Sequence, residues 1–118
     1  MGTFTHPIHI GNLSGGEFVE VEALVDTGTT YTSLPAGVLN RLGVEPEGSR
    51  RFELADNRIV EYPIGYVRVQ LNGSEAIVLV VFAPEETDPL LGATALELFS
   101  LGVDPVNQRL IPVPALMK

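Results

Sequence analysis

The sequence predicts an all-β fold of hairpins carrying one or two short helices. Three observations predict it. Apolar residues alternate with polar ones over several short runs, the period expected of strands with one buried face. Turn formers separate these runs: the 118 residues include 12 Gly and 9 Pro alongside a hydrophobic fraction of 45%, which suits a globular chain rich in strands and turns. Helical spacing is confined to two short stretches, one before Gly43 and one after Gly92. At this length residues 1–118 are expected to form one domain, with room for a single core but not for two lobes.

Phe4, His6, Ile8 and Ile10 alternate with other residues and read as the first strand. Gly11-Asn12-Leu13-Ser14-Gly15-Gly16 is a turn by composition, and Phe18 to Val25 returns as the second strand of a hairpin. Glu20 and Glu22 share one face of that strand, with Val19, Val21, Ala23 and Val25 on the other. Thr29 to Ser33 is rich in hydroxyls and leads to Leu34-Pro35. Pro is tolerated in a first helical turn, and Val38, Leu39 and Leu42 recur at helical spacing before Gly43, so a helix is predicted from Pro35 to Leu42. Gly43 to Ser49 reads as a loop.

Arg51 to Tyr62 is a polar-tipped hairpin. Phe52 and Leu54 lie on the way out, Ile59, Val60 and Tyr62 on the way back, and Asp56-Asn57 suits a two-residue turn with positive φ. Such a hairpin is either an ordinary sheet edge or a flap over a cleft. Tyr66 to Phe82 makes another, with Asn72-Gly73 as a strong type I′ signal. Its return strand, Ala76 to Phe82, is apolar on both faces and is expected to be central and covered twice. Pro84 to Pro89 is an acidic loop, Leu90-Leu91-Gly92 precedes a helix from Ala93 to Phe99, and Leu101 to Asp104 turns at Pro105 to Gln108 into an apolar tail of Leu110, Ile111 and Val113.

Fifteen acids against seven bases leave a formal net charge of −8. That balance repels phosphate backbones and anionic membrane surfaces, and so argues against nucleic acid or membrane as partner. No apolar run approaches the roughly 20 residues that a membrane-spanning helix needs. The chain has no Cys, hence no disulfide framework and no thiolate nucleophile, and its N-terminus lacks the basic-then-apolar layout of a secretion signal. A cytoplasmic location is the expectation. His6 and His9 lack a third ligand at a defined spacing and read as strand-surface residues, so no metal is expected.

One stretch carries chemistry. In Val21-Glu22-Ala23-Leu24-Val25-Asp26-Thr27-Gly28-Thr29-Thr30 an apolar strand delivers a carboxylate to a loop. A carboxylate there is costly unless hydrogen bonds compensate it, and strand-end loops are common places for catalysis. Thr27 can hydrogen-bond, and Gly28 leaves room for another group to approach. The bland alternative is an Asp that caps a turn through backbone N–H bonds.

Leu24-Val25-Asp26-Thr27-Gly28-Thr29, a hairpin placed like a flap, and Leu90-Leu91-Gly92 before a helix occur in that order. Over nearly the whole chain this resembles the single-domain, retropepsin-like aspartic proteases. The resemblance implies an acid-protease fold, a closed or partly open β-barrel, with Leu90-Leu91-Gly92 packed beside the Asp26 loop and Gly92 small enough to permit it. It assigns Asp26, Thr27 and Gly28 to catalysis, with Asp26 as the acid/base and Thr27 bracing the loops. It assigns Thr29, Ala55, Asp56, Asn57, Leu91 and Gly92 to a polypeptide substrate, and it implies no cofactor.

Hydrolysis by carboxylates alone needs one group to take a proton from water and another to give one to the carbonyl oxygen. Two close Asp groups share one proton and supply both roles. The chain holds one Asp-Thr-Gly, and Asp56, Asp88 and Asp104 lack its apolar lead-in. The resemblance therefore implies a homodimer with Asp26 of each copy near the two-fold axis. Two features depart from the family pattern: the flap turn has no Gly, and Ala93-Thr94 stand where an Arg often follows. A second reading is a catalytically inactive retropepsin-like dimerisation or peptide-binding module, since fold does not dictate function. A small acidic β-barrel carrying a ligand is a third.

Overall fold

The structure is a computed structural model that describes residues 4–115 and 117. Strands β1 (Phe4–Gly11) and β2 (Phe18–Val25) pair antiparallel with Ile8 opposite Val21, as their alternation requires. Ile8, Ile10, Ala23 and Val25 face the interior, and Glu20 and Glu22 face solvent. The turn between them is held by Asn12, whose side-chain oxygen accepts the Ser14 N–H at 2.9 Å.

Strand β3 (Thr32–Pro35) corrects the sequence reading, which had no strand in this hydroxyl-rich segment. Its polar composition hides it, because Thr32 is completely buried with its hydroxyl satisfied across the fold. Helix α1 (Ala36–Arg41) follows, one residue shorter at each end than expected. It stops where Gly43 takes a positive φ of 74° and the Gly43 and Val44 N–H groups return to the Asn40 and Leu39 carbonyls, a Schellman ending.

Strand β4 (Gly48–Glu53) pairs with the first part of β5 (Ile59–Leu71), and β6 (Ser74–Ala83) pairs with the rest. The two expected hairpins thus share one strand of 13 residues. Pro63 does not break it. Proline's φ suits extended backbone, and at Pro63 only β4 is alongside, since β6 begins pairing at Ile64. At Asn72-Gly73 both residues have positive φ, 51° and 83°, as a type I′ turn demands. The β4–β5 turn differs from the expected two-residue form. Asn57 N–H donates to Leu54 O and Leu54 N–H to Arg58 O, which makes a three-residue loop in which only Asn57 has positive φ, at 69°. Strand β6 is covered twice only from Val80 to Ala83, and Ile77 is 59% exposed.

Two-residue β7 (Leu90–Leu91) runs parallel to β2 and antiparallel to β3, while β3 runs parallel to β6. Beyond the end of β4, β5 pairs with β1, Ile10 opposite Val69. The order β1-β2-β7-β3-β6-β5 therefore closes on itself, with β4 outside the ring. This is the expected barrel, and closure removes the sheet edges that would otherwise invite pairing. Its interior is filled by Ile8, Ile10, Val67, Val69, Val80 and Leu91, joined by Leu39 of α1 and Leu96 of α2 (Ala93–Leu98). Strands β8 (Leu101–Asp104) and β9 (Arg109–Pro112) form a separate two-stranded sheet around the predicted turn. There the Asp104 carboxylate accepts the Asn107 side-chain N–H at 2.8 Å and the backbone N–H groups of Asn107 and Val106. Among the described residues, no helix is long and apolar enough to cross a membrane.

Candidate active site

Asp26 is delivered by the end of β2 and fixed by β7. Leu24 N–H donates to Pro89 O at 2.8 Å and Asp26 N–H to Leu91 O at 3.1 Å, so the ladder holds the backbone up to the carboxylate. The side chain is half-buried. Its Oδ1 accepts the Gly28 N–H at 2.9 Å and its Oδ2 the Thr29 hydroxyl at 3.1 Å. These two bonds compensate the burial and aim the group. A turn-capping Asp would make the same first bond.

The loop after Asp26 is clasped to the segment after β7. Ala93 N–H donates to Thr29 O at 2.7 Å, and the Thr94 N–H and hydroxyl both donate to Thr30 O, at 3.1 and 2.8 Å. Gly92 N–H donates to the buried Thr32 hydroxyl at 3.1 Å. A Cβ on Gly92 would lie 2.5 Å from Tyr31 O and 2.9 Å from Thr29 O, both backbone atoms that cannot yield. Where an Arg would have followed Gly92, Ala93 and Thr94 tie the loops through backbone and hydroxyl.

The structure thus brings Asp26, Gly28, Thr29, Leu91 and Gly92 together. Thr27 is exposed beside them. Leu91 needs a correction: its side chain is completely buried in the core, and Leu90 is the neighbour that lines the adjoining cleft. Ala55, Asp56 and Asn57 form the exposed tip of the β4–β5 hairpin, where Asp56 is engaged by Arg58 Nε at 2.7 Å.

Between that hairpin and the Asp26 loop lies a cleft of about 580 Å³. Thr29, Tyr31, Phe52, Tyr62, Val81 and Leu90 supply its walls, and Glu53, Glu86 and Asp88 also border it. Tyr31, Phe52 and Tyr62 escaped the sequence reading as site residues. The available signal was an aromatic residue five positions after Asp26 and two more in the flap-like hairpin. A second hollow of about 500 Å³ lies apart, beside His6 and His9. There His6 Nε2 meets Asn72 Oδ1 at 2.9 Å and His9 meets its cross-strand partner Glu20 at 3.4 Å.

The fold has counterparts in known structures. The chain is similar in fold to the EIAV protease solved with an inhibitor, with a TM-score of 0.56 and 20% identity over 83% of this chain and 88% of that one. It is also similar to the simian foamy virus protease, with a TM-score of 0.55 and 16% identity over 80% and 94% of the two chains. The retroviral protease-like domain of Ddi1 from Leishmania major gives a TM-score of 0.56 and 18% identity over 92% and 87%. No curated protein matches by sequence. Residues 15–97 match the family model described as "gag-polyprotein putative aspartyl protease", and the chain belongs to this retropepsin-like aspartyl protease family.

Proposed function

We propose that the protein is an aspartic endopeptidase, completed by a second copy of the chain. The observation that carries this reading is the Asp26 carboxylate, half-buried at a strand end and held by the Gly28 N–H and by the hydroxyl of Thr29, a residue that itself lines the cleft. One chain supplies one such group. A two-fold dimer with the loop on its axis supplies the second automatically.

In that arrangement two carboxylates share one proton because both cannot easily ionise at close range. The ionised one takes a proton from water, whose oxygen attacks the peptide carbonyl carbon. The protonated one gives its proton to the carbonyl oxygen, forming a gem-diol. The newly protonated carboxyl then gives its proton to the amide nitrogen while the other carboxylate takes one from a gem-diol hydroxyl. The C–N bond breaks to an amine and a carboxylic acid, and the pair again holds one proton. Thr29 holds Asp26 in place, Thr27 braces the two loops, and Gly28 leaves space for the substrate. An extended polypeptide lies between the dyad and the 48–62 hairpin, which acts as a flap and supplies main-chain hydrogen bonds.

The turn-like bonds to Asp26 also suit an inactive peptide-binding module, so the test separates the two. Sedimentation equilibrium is run across concentration and from mild acid to neutral pH, with peptide cleavage assayed under the same conditions. The endopeptidase reading expects a dimer whose cleavage falls at least about a hundredfold in Asp26→Asn, the low end for loss of a general acid–base group. A strict monomer sinks the shared dyad. Peptide binding without turnover, unchanged in Asp26→Asn, establishes the module instead.

A further inference from the structure

The β4–β5 hairpin stands outside the closed ring, yet it does not hang free. The cross-strand register puts Arg50 opposite Tyr62 and Phe52 opposite Val60, so Arg50, Phe52, Val60 and Tyr62 share one face. Ser49, Arg51, Glu53 and Glu61 occupy the other, where the Ser49 hydroxyl donates to Glu61 at 2.6 Å. Tyr31 meets the first face. Its ring stands edge-on to Phe52 with centroids 5.4 Å apart, and Phe52 in turn lies 6.1 Å from Tyr62. Arg50 reaches the same ring, with its guanidinium carbon 5.5 Å from the centroid and Nη1 donating to the Tyr31 hydroxyl at 2.8 Å.

The two ends of this contact differ in mobility. Tyr31 is fixed by its main chain, which packs directly on Gly92 and is followed by the buried Thr32 of β3. Arg50 sits on exposed β4. In a chain of net charge −8, Arg58, Arg68 and Arg109 find carboxylates, whereas Arg50, like Arg41 and Arg51, makes no ion pair among the described residues and takes the Tyr31 phenol instead. Letting go of a phenol leaves no counter-charge stranded, so the contact can open and re-form at low cost.

We propose that Tyr31 and Arg50 form a latch that holds the flap hairpin over the Asp26 loop. Both are then positioning residues for the hydrolysis, a role that rests on the endopeptidase reading. The physical latch does not. It couples the wall of the cleft, through one side chain, to the loop that carries Asp26. An exposed cation–π contact and one exposed hydrogen bond together bias such an open–closed balance by roughly five- to seventyfold.

The test is amide hydrogen exchange on the full chain for wild type, Tyr31→Phe, Arg50→Met and the double variant. Tyr31→Phe keeps the ring and removes only the hydroxyl, and a melting curve for each variant confirms that it folds. The latch expects exchange over residues 48–62 to rise by roughly two- to tenfold in Tyr31→Phe, which loses only the hydrogen bond, and by roughly five- to seventyfold in Arg50→Met, which loses both contacts, while β1 and β2 stay unchanged. The double variant then exchanges no faster than the quicker single one, and Arg50→Lys recovers part of the protection. Unchanged exchange over 48–62, exchange raised evenly across the barrel, or strictly additive effects would each overturn it. On a cleaved peptide, a raised KM with kcat nearly unchanged supports the latch, and an equal fall in kcat refutes the positioning role. Asp26→Asn leaves the exchange pattern intact, so failure of the protease reading is read separately.

Discussion

Replacing Gly92 with Ala is the sharpest probe of how the two loops are joined. The residue has φ −95° and ψ 179°, extended backbone that alanine adopts freely, so any cost is one of space. The added Cβ would lie 2.5, 2.7 and 2.9 Å from Tyr31 O, Tyr31 C and Thr29 O. All three are main-chain atoms of the loop that carries Asp26. Overpacking of this kind costs about 1–3 kcal/mol. Pushing the segments apart also weakens the Gly92 N–H bond to Thr32 and the Ala93 N–H bond to Thr29 O, each worth about 0.5–1.5 kcal/mol. The sum is about 2–6 kcal/mol, which lowers Tm by at least about 8 °C for a chain of this size. Gly48→Ala is the control, because its Cβ would meet nothing within 4 Å. Urea unfolding of both variants at one fixed protein concentration measures the difference. A Gly92→Ala variant within about 1 kcal/mol of wild type would refute the claim that close approach requires glycine here.

Three further perturbations address neighbouring parts of the fold. Thr32→Val keeps the volume but leaves the Gly92 N–H without its acceptor, and should cost about 1–3 kcal/mol by urea unfolding. Asn57→Gly should be neutral or slightly stabilising, whereas Asn57→Val should cost about 1–2 kcal/mol, since φ is 69° and a β-branched residue resists that region. The bonds from the Asn107 side chain and backbone, aided by the Val106 N–H and Arg109, hold the Asp104 carboxyl below its ordinary pKa of 3.8. A lowered folded-state pKa adds stability that is present above the ordinary value and lost as pH falls through the folded one. Melting curves of wild type and Asp104→Asn should therefore converge as the pH is taken below about 4, and a gap that stays constant would contradict this account.

What the sequence reveals depends on how local each signal is. The β1–β2 alternation, the Asn72-Gly73 turn and the Gly43 helix stop are each set within a few residues, and all appear as read. Thr32 is different. Its hydroxyl looks like a loop residue's until Gly92, 60 positions away, donates to it. Pro63 looks like a break until the strand pairings show only one neighbour beside it. At the site, Asp26 stood out because an apolar strand delivers it to a loop, whereas Gly92 was singled out only by the family resemblance of Leu90-Leu91-Gly92. Tyr31, Phe52 and Tyr62 were not legible, since their meeting requires β3, β4 and β5 to be in place and no spacing along the chain encodes it.

The way the barrel closes separates a segment held on several sides from one that is free to bend. Among the described residues, the backbone bonds around Asp26 come from β1 and β7 beside the end of β2, from its own loop and from the segment after Gly92, and all of these belong to or lean on the ring of β1, β2, β7, β3, β6 and β5. Asp26 therefore cannot shift without disturbing a closed, packed structure, which suits the catalytic role proposed for it. Strand β4 is the one member of that sheet outside the ring, paired along one side only. Bending the 48–62 hairpin away breaks no bond of the barrel, because β5 passes to β1 and β6 beyond Ile64. Beyond its own pairing, the hairpin is restrained by side chains, Tyr31 with Phe52 and Arg50. Local opening is drawn from regions with few buried contacts. The fold thus sets a movable wall against a fixed carboxylate, and one tyrosine spans the boundary between them.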